Sequence, residues 1–445
     1  MPGTSTAWST AEINASLSHS LQREAFVRIT KRINDLRSCR EARDLHEFQL
    51  TLFDDVSWAQ GHYARASRAL KRLQARQSVD DPEADTWELE MWTCHRVERE
   101  FRSVGDCLAW KFFDCDRRYP TIFSRHPDPG LVFGKAGADT ERRKADEILE
   151  TEGRFALMND LTLSFRAGDL TVRREAGVDI IEVKANQSRS TARQRRLVQS
   201  DLDALSGRAP LEFDGVPLLT PLSTVRVDTA LASLEAAVIP ANRIGPQAIV
   251  LGEEWILLVQ GATRTVPTTV EDYWAPLQER AKADARLDKP GAIFNGEWSW
   301  HAWNSKNSWV AGAPFGIFPL PPVHCAALTC GYLIYQTVIG YGRVARAFEE
   351  QGYEVRSLLP PEAQSLAPEH MLMSVSKRVG DRLIRFNLKT AAFNQVQFEL
   401  FTPECIAEAL NQVFVTTSRA TGQSTEGILA HGSLAFAHER SVWSV

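Results

Sequence analysis

Apolar positions recur at helical spacing through the first quarter of the chain, at Leu21, Phe26, Ile29 and Ile33, and again at Trp87, Leu89, Trp92 and Val97. Residues three and four apart share one helix face, so the first 118 residues are expected to be helical, with Pro82 separating two runs. Proline punctuation at Tyr119-Pro120 and from His126-Pro127 to Pro129-Gly130 then interrupts the pattern. Next, the spacing predicts a helix over Thr140–Thr151 and strands over Ala156–Phe165, Asp169–Arg173 and Val178–Lys184. A second helix is expected over Thr191–Leu205, capped by Ser190 or Thr191, and a strand over Ser223–Asp228.

Beyond that, Ala248–Leu251 and Trp255–Val259 flank Gly252-Glu253-Glu254 and read as a hairpin. The alternation in Arg382–Leu388 and Gln395–Phe401 suggests paired strands with one wet face. A short helix is expected over Glu404–Val413, and a polar, mobile tail over Thr416–Gly427. From Val323 to Gly342 there is no Asp, Glu, Lys or Arg. His324, Thr329, Gln336 and Thr337 within it favour a helix buried between protein layers over a membrane span. The expected organisation is a helical domain over 1–125, an α/β core over 126–265 and an α+β recognition or partner-docking domain over 266–445.

The stretch from Asp169 to Lys184 carries the chemistry. A strand's period of two puts Glu182 and Lys184 on one face and Ile181 and Val183 on the other, with Asp169 at the head of the neighbouring strand. Two carboxylates can hold a hard divalent cation through oxygen. A cation held there polarises a phosphate oxygen and acidifies a water, and a nearby ammonium orients that water or neutralises developing charge. The arrangement is a plan for hydrolysing a phosphodiester.

An Asp, a gap of about a dozen residues and then Glu-x-Lys closing an apolar strand resembles the PD-(D/E)xK, or restriction-endonuclease-like, nuclease superfamily. The order helix, three-stranded meander, helix, strand agrees with that family; Gly168 stands where the family name has Pro. The resemblance implies a mixed sheet flanked by helices, with Asp169, Glu182 and Lys184 as the catalytic set and Asp169 and Glu182 binding Mg²⁺ or Mn²⁺. It also implies a supporting Glu on the first helix. Glu141 is best placed, with Glu147 and Glu150 as competitors, and all three could equally be solvated helix charges. Asp160 either supports the site or turns the chain, and Gln194 resembles a helix Gln used by some relatives.

Arg189, Arg193, Arg195 and Arg196 beside that helix, and Arg166 before Asp169, suit a bidentate grip on phosphates; the alternative is a solvated basic face. The expected activity is metal-dependent cleavage of DNA, with RNA as the other substrate, in bacterial genome or antiviral defence, with an activating partner protein or a second copy. The alternative is an inactive nuclease-like scaffold that binds nucleic acid or a partner. Neither a Gly-rich phosphate loop nor a nucleophile elbow is present in the sequence.

Composition narrows this further. The chain has 445 residues, 44% of them hydrophobic and 24% charged, as in an ordinary soluble protein, so a cytoplasmic location is expected. A net charge of −5 offers no global attraction for nucleic acid, which puts the weight of any binding on local basic patches. Seven cysteines without a secretory leader suggest reduced thiols. Cys94, His95, Cys107 and Cys115 raise a zinc reading, but the chain lacks a Cys-x-x-Cys pair, and buried core thiols are the preferred reading. Trp298 and Trp300 on one strand face would form either a base-stacking platform or an aromatic hairpin core.

Overall fold

The computed structural model describes residues 15–75, 82–116, 118–123, 132–134, 137–175, 177–183, 192–205, 211–213, 216–218, 228–252, 254–261, 293–298, 314–357, 373–379, 382–388, 396, 399–411 and 426–429. The class is mixed α/β.

Three long helices lead: α1 Ser20–Ser38, α2 Ala42–Ala75 and α3 Pro82–Phe112. Each is built on an apolar stripe. In α1, Leu21, Ala25, Ile29, Ile33 and Leu36 are buried, and in α3, Val97, Phe101, Val104 and Leu108. His19 Nδ1 accepts from the Leu21 N–H at the start of α1, at 3.3 Å. The Asp44 carboxylate accepts the N–H groups of Arg40 and Glu41 at 2.7 and 3.0 Å, which opens α2 and holds its own pKa below the usual value. Pro82 opens α3, where its missing N–H costs nothing. The short helix α4 Arg118–Phe123 follows, then α5 Ala138–Glu152, which ends on Gly153 at φ 63°.

A three-stranded antiparallel meander comes next, β1 Ala156–Met158, β2 Leu170–Arg174 and β3 Gly177–Ile181, followed by α6 Ala192–Leu205. The expected strand Ala156–Phe165 is thus cut short. After Met158 the chain makes a 3₁₀ turn, Asn159–Leu161, because Asn159 O takes both the N–H and the Oγ1–H of Thr162. The expected strand Val178–Lys184 likewise ends at Ile181.

The outer edge of β1 is closed by a helix side chain. Gln49 of α2 donates Nε2 to Ala156 O at 3.0 Å and accepts the Met158 N–H on Oε1 at 2.7 Å, offering what a neighbouring strand would.

The hairpin β4 Leu211–Phe213 and β5 Val216–Leu218 and the helix α7 Leu231–Arg243 lead to a second expected hairpin, observed as β6 Gln247–Gly252 and β7 Trp255–Gly261. With β8 Ile293–Trp298 and β9 Leu333–Gly340 it forms a four-stranded sheet, order β6-β7-β9-β8. The apolar run 323–342 is therefore no single buried helix. It divides at Gly331 (φ 70°) into α8 Pro322–Thr329 and the central strand β9. Among the described residues no helix is long and apolar enough to cross a membrane.

After α9 Tyr341–Glu350, strands β10 Glu354–Ser357, β11 Met373–Val379, β12 Arg382–Leu388 and β13 Glu426–Leu429 join β5 and β4 in a six-stranded sheet. There β12 pairs with β11 and β13, correcting the expected pairing with Gln395–Phe401. Phe401 instead bridges Thr229, and the helix expected over Glu404–Val413 is present over 403–411, with 412 and 413 outside the described residues. Residues 426 and 427, expected in a mobile tail, belong to β13. One hydrophobic core runs continuously from Ala25 to Leu410.

Candidate functional site

The β2–β3 register ends at the pair Leu170–Ile181, and Asp169 and Glu182 are the next residues on the two strands. The backbone there is tightly specified. Asp169 N–H donates to Ile181 O, and Asn159 N–H donates to Asp169 O, both at 3.0 Å. Asp169 Oδ2 accepts the Val183 N–H at 2.6 Å, which fixes the carboxylate against the strand carrying Glu182. Glu182 Oε1 lies 3.7 Å from the point where a Cβ on Gly168 would sit. Both acids are half-buried at the open end of the hairpin.

Gly168 is needed on two counts. Its φ of +68° is left-handed, and a Cβ would meet Ile180 Cγ2 at 2.4 Å. A proline, with φ fixed near −65°, could not stand here.

Of the three candidate glutamates on the preceding helix, Glu141 is 2% exposed, whereas Glu147 and Glu150 are exposed. Asp160 is half-buried in the 3₁₀ turn. Arg166 is half-buried and donates Nε to Leu163 O at 2.5 Å, beside Asp106. Arg196 is exposed on α6. Arg193, Gln194 and Arg195 lie on α6 with their side chains outside the described residues, as are Lys184 and Arg189. The strand expected over Ser223–Asp228 falls outside them save Asp228, which is not in a strand. Trp300 is outside as well, and Trp298 closes β8.

Three residues that hold this end in place escaped the sequence reading. Asn159 is buried and donates Nδ2 to Ala167 O at 2.6 Å and accepts the Thr171 Oγ1–H at 2.8 Å, stapling the loop before Asp169 to β2. Asp106 of α3 accepts three hydrogen bonds on a single oxygen, from Leu163 N, Ser164 N and Ser164 Oγ, at 3.0, 2.9 and 2.5 Å. Burial pushes its carboxyl up to about 6, against the pull of those donors. Gly105 lets the 3₁₀ turn touch the helix: a Cβ would stand 1.9 Å from Leu161 O. The only sequence signal for these positions is a Gly-Asp pair inside an otherwise regular helix.

The cysteines are all reduced and buried, and burial raises Cys94 to about 12. Among the described residues no group of three or more His, Cys, Asp and Glu gathers as metal ligands. Were Asp169 and Glu182 to hold Mg²⁺, waters and substrate phosphate oxygens would have to supply its other ligands. Compared with known proteins, the chain matches no family model, no curated protein and no solved structure.

Proposed function

We propose that the chain is a metal-dependent nuclease with a restriction-endonuclease-like core formed by α5, the β1–β3 meander and α6, and that it hydrolyses phosphodiester bonds of DNA. The observation carrying this reading is the placement of Asp169 and Glu182 side by side beyond the last pair of one hairpin, with Asp169 locked by the Val183 N–H. The burial of Glu141 on the preceding helix adds support.

Asp169 and Glu182 would hold Mg²⁺ or Mn²⁺, which when bound neutralises charge on phosphate and acidifies a water. The protein's own work is preorganisation. Asn159, Gly168 and the Val183 N–H fix the backbone around Asp169 and hold its carboxylate before substrate arrives, so that it need not be reoriented at reaction. Lys184, two residues past Glu182, is the group assigned to the attacking water by resemblance. Arg196 on α6 is an exposed candidate for phosphate contact.

The test is cleavage of supercoiled plasmid and single-stranded DNA by the full chain in Mg²⁺, Mn²⁺ or EDTA. Breakage that requires metal and falls at least 100-fold in Glu182→Gln is the expected result. Breakage that persists in EDTA, or is unchanged in the variant, would contradict the assignment.

A further inference from the structure

At the far end of the same hairpin, roughly 17 Å along β2 from Asp169 at a strand's rise per residue, the surface opens into a cleft of about 600 Å³. Its walls are the start of α2, the end of α3, α4, the link between α5 and β1 and the β2–β3 turn; among the lining residues are Arg40, Arg154, Arg173 and Arg174 and the carboxylates Glu41 and Glu175. Phe112, Tyr119 and Phe155 line it as well.

The four guanidiniums are held to different degrees. Arg173 donates to Asp114 at 2.6 Å and to Phe112 O at 3.2 Å, and Arg174 is gripped by Asp179 at 2.6 Å and by Glu152. These two are fixed in orientation. Arg154 rests on Arg173 O at 3.1 Å, with Glu175 a loose 3.9 Å away and almost wholly in solvent. Arg40 lies on the carbonyls of Arg37 and Cys39 at 3.0 and 3.3 Å, and forms no ion pair among the described residues. Arg40 and Arg154 therefore present guanidinium groups that no close carboxylate among the described residues grips, with Asp44 beside the first and Glu152 and Glu175 beside the second.

The aromatic wall is equally well supported. Tyr119 lies flat on Phe113, with centroids 4.0 Å apart and planes at 14°, and Phe112 meets Phe155 edge-on at 5.1 Å. Phe112 and Tyr119 are half-buried, and their uncovered parts face the cleft.

Planar guanidiniums match phosphate oxygens bidentately, and aromatic side chains offer a surface to a flat base. The volume lies in the range of small-molecule sites. An acidic peptide would satisfy the arginines but has no use for the aromatic wall. We propose that this cleft binds a nucleotide unit, with its phosphate on Arg40 and Arg154 and its base against Phe112 and Tyr119. The unit is either a free nucleotide or one residue of a nucleic-acid strand, and the proposal stands whether or not the carboxylate end is hydrolytic.

The test is calorimetric titration of the full chain in EDTA, which silences any metal-dependent cleavage, with AMP, dAMP, a six-residue oligothymidylate and ribose 5-phosphate. Saturable binding of a mononucleotide identifies a free-nucleotide site, and binding of the oligonucleotide alone identifies a strand path. In either case Arg40→Ala combined with Arg154→Ala weakens the affinity at least tenfold, with an unchanged circular dichroism spectrum. Ribose 5-phosphate binds at least tenfold more weakly than the nucleotide or oligonucleotide. The proposal is overturned if neither nucleotide probe binds, if the double variant binds as the parent does, or if ribose 5-phosphate binds equally well.

Discussion

At its open end the β2–β3 hairpin is held by buried hydrogen bonds, whereas at its turn it is held by exposed arginine–carboxylate pairs. Asn159, Asp106 and Gln49 are each at most 7% exposed and reach across to backbone groups of the β1–β2 region. Arg173 and Arg174 pair with Asp114, Glu152 and Asp179 in solvent. A buried donor or acceptor stripped of its partner costs its full desolvation, while an exposed ion pair is screened and nearly neutral. The end that carries Asp169 and Glu182 is thus held by bonds that are costly to break, and the arginine end by pairs that add little to stability.

The contrast is broken most severely at Gly105. Alanine within a helix ordinarily gains about 1 kcal/mol over glycine. Here its Cβ would strike Leu161 O, so Gly105→Ala is expected to destabilise by on the order of 3 kcal/mol in urea unfolding. A stabilised variant would show that the helix and the 3₁₀ turn do not touch.

Asn159→Ala comes next. It strands Ala167 O and the Thr171 hydroxyl in the interior, for a loss of roughly 2–3 kcal/mol in the same measurement. It should also loosen Asp169, visible as faster amide exchange at 168–170.

Asp106 sharpens the comparison through pH. With its carboxyl pushed up to about 6 from an ordinary 3.8, the folded chain keeps a proton that the unfolded chain has released between those values. This group therefore favours folding at low pH, and its contribution is lost as pH rises through about 6. The side-chain amide introduced by Asp106→Asn keeps an oxygen that can accept the same three hydrogen bonds, and it does not titrate. The stability of the parent minus that of Asp106→Asn should accordingly fall from about pH 4 to 6 and then level off. A difference that does not change with pH would show that Asp106 is ionised at its ordinary value.

The smallest effect is expected at the turn. Arg174→Ala should leave the unfolding midpoint unchanged within error, since both of its pairs are exposed.

The parts of this architecture legible in the sequence are those with local causes. Helices α5 and α6, the β2–β3 hairpin and the β6–β7 hairpin follow from apolar period and from turn residues such as Gly177. Asp169 and Glu182 were legible because a hairpin's register is set locally. What was hidden depends on distant chain. The stretch 156–165 reads as one strand because both of its faces are covered, and nothing nearby announces that Asn159 will fold back or that Gln49 and Asp106 will arrive from helices more than fifty residues earlier. The run 323–342 failed similarly, since a stretch without charged residues carries little of the polar–apolar period that separates helix from strand. The burial of Glu141 among three glutamates on one helix is also tertiary information. The arginine cleft draws on five separate stretches of chain and has no motif in the sequence.

Binding of a divalent cation by Asp169 and Glu182 together is tested by titrating Mn²⁺ into the full chain and counting bound ion by electron paramagnetic resonance. That readout needs neither substrate nor activator. The expected result is a bound ion that is lost, or weakened at least tenfold, in both Asp169→Asn and Glu182→Gln, and retained in the double variant Arg40→Ala and Arg154→Ala. Mn²⁺ bound equally well by all four proteins, or by none of them, would contradict it.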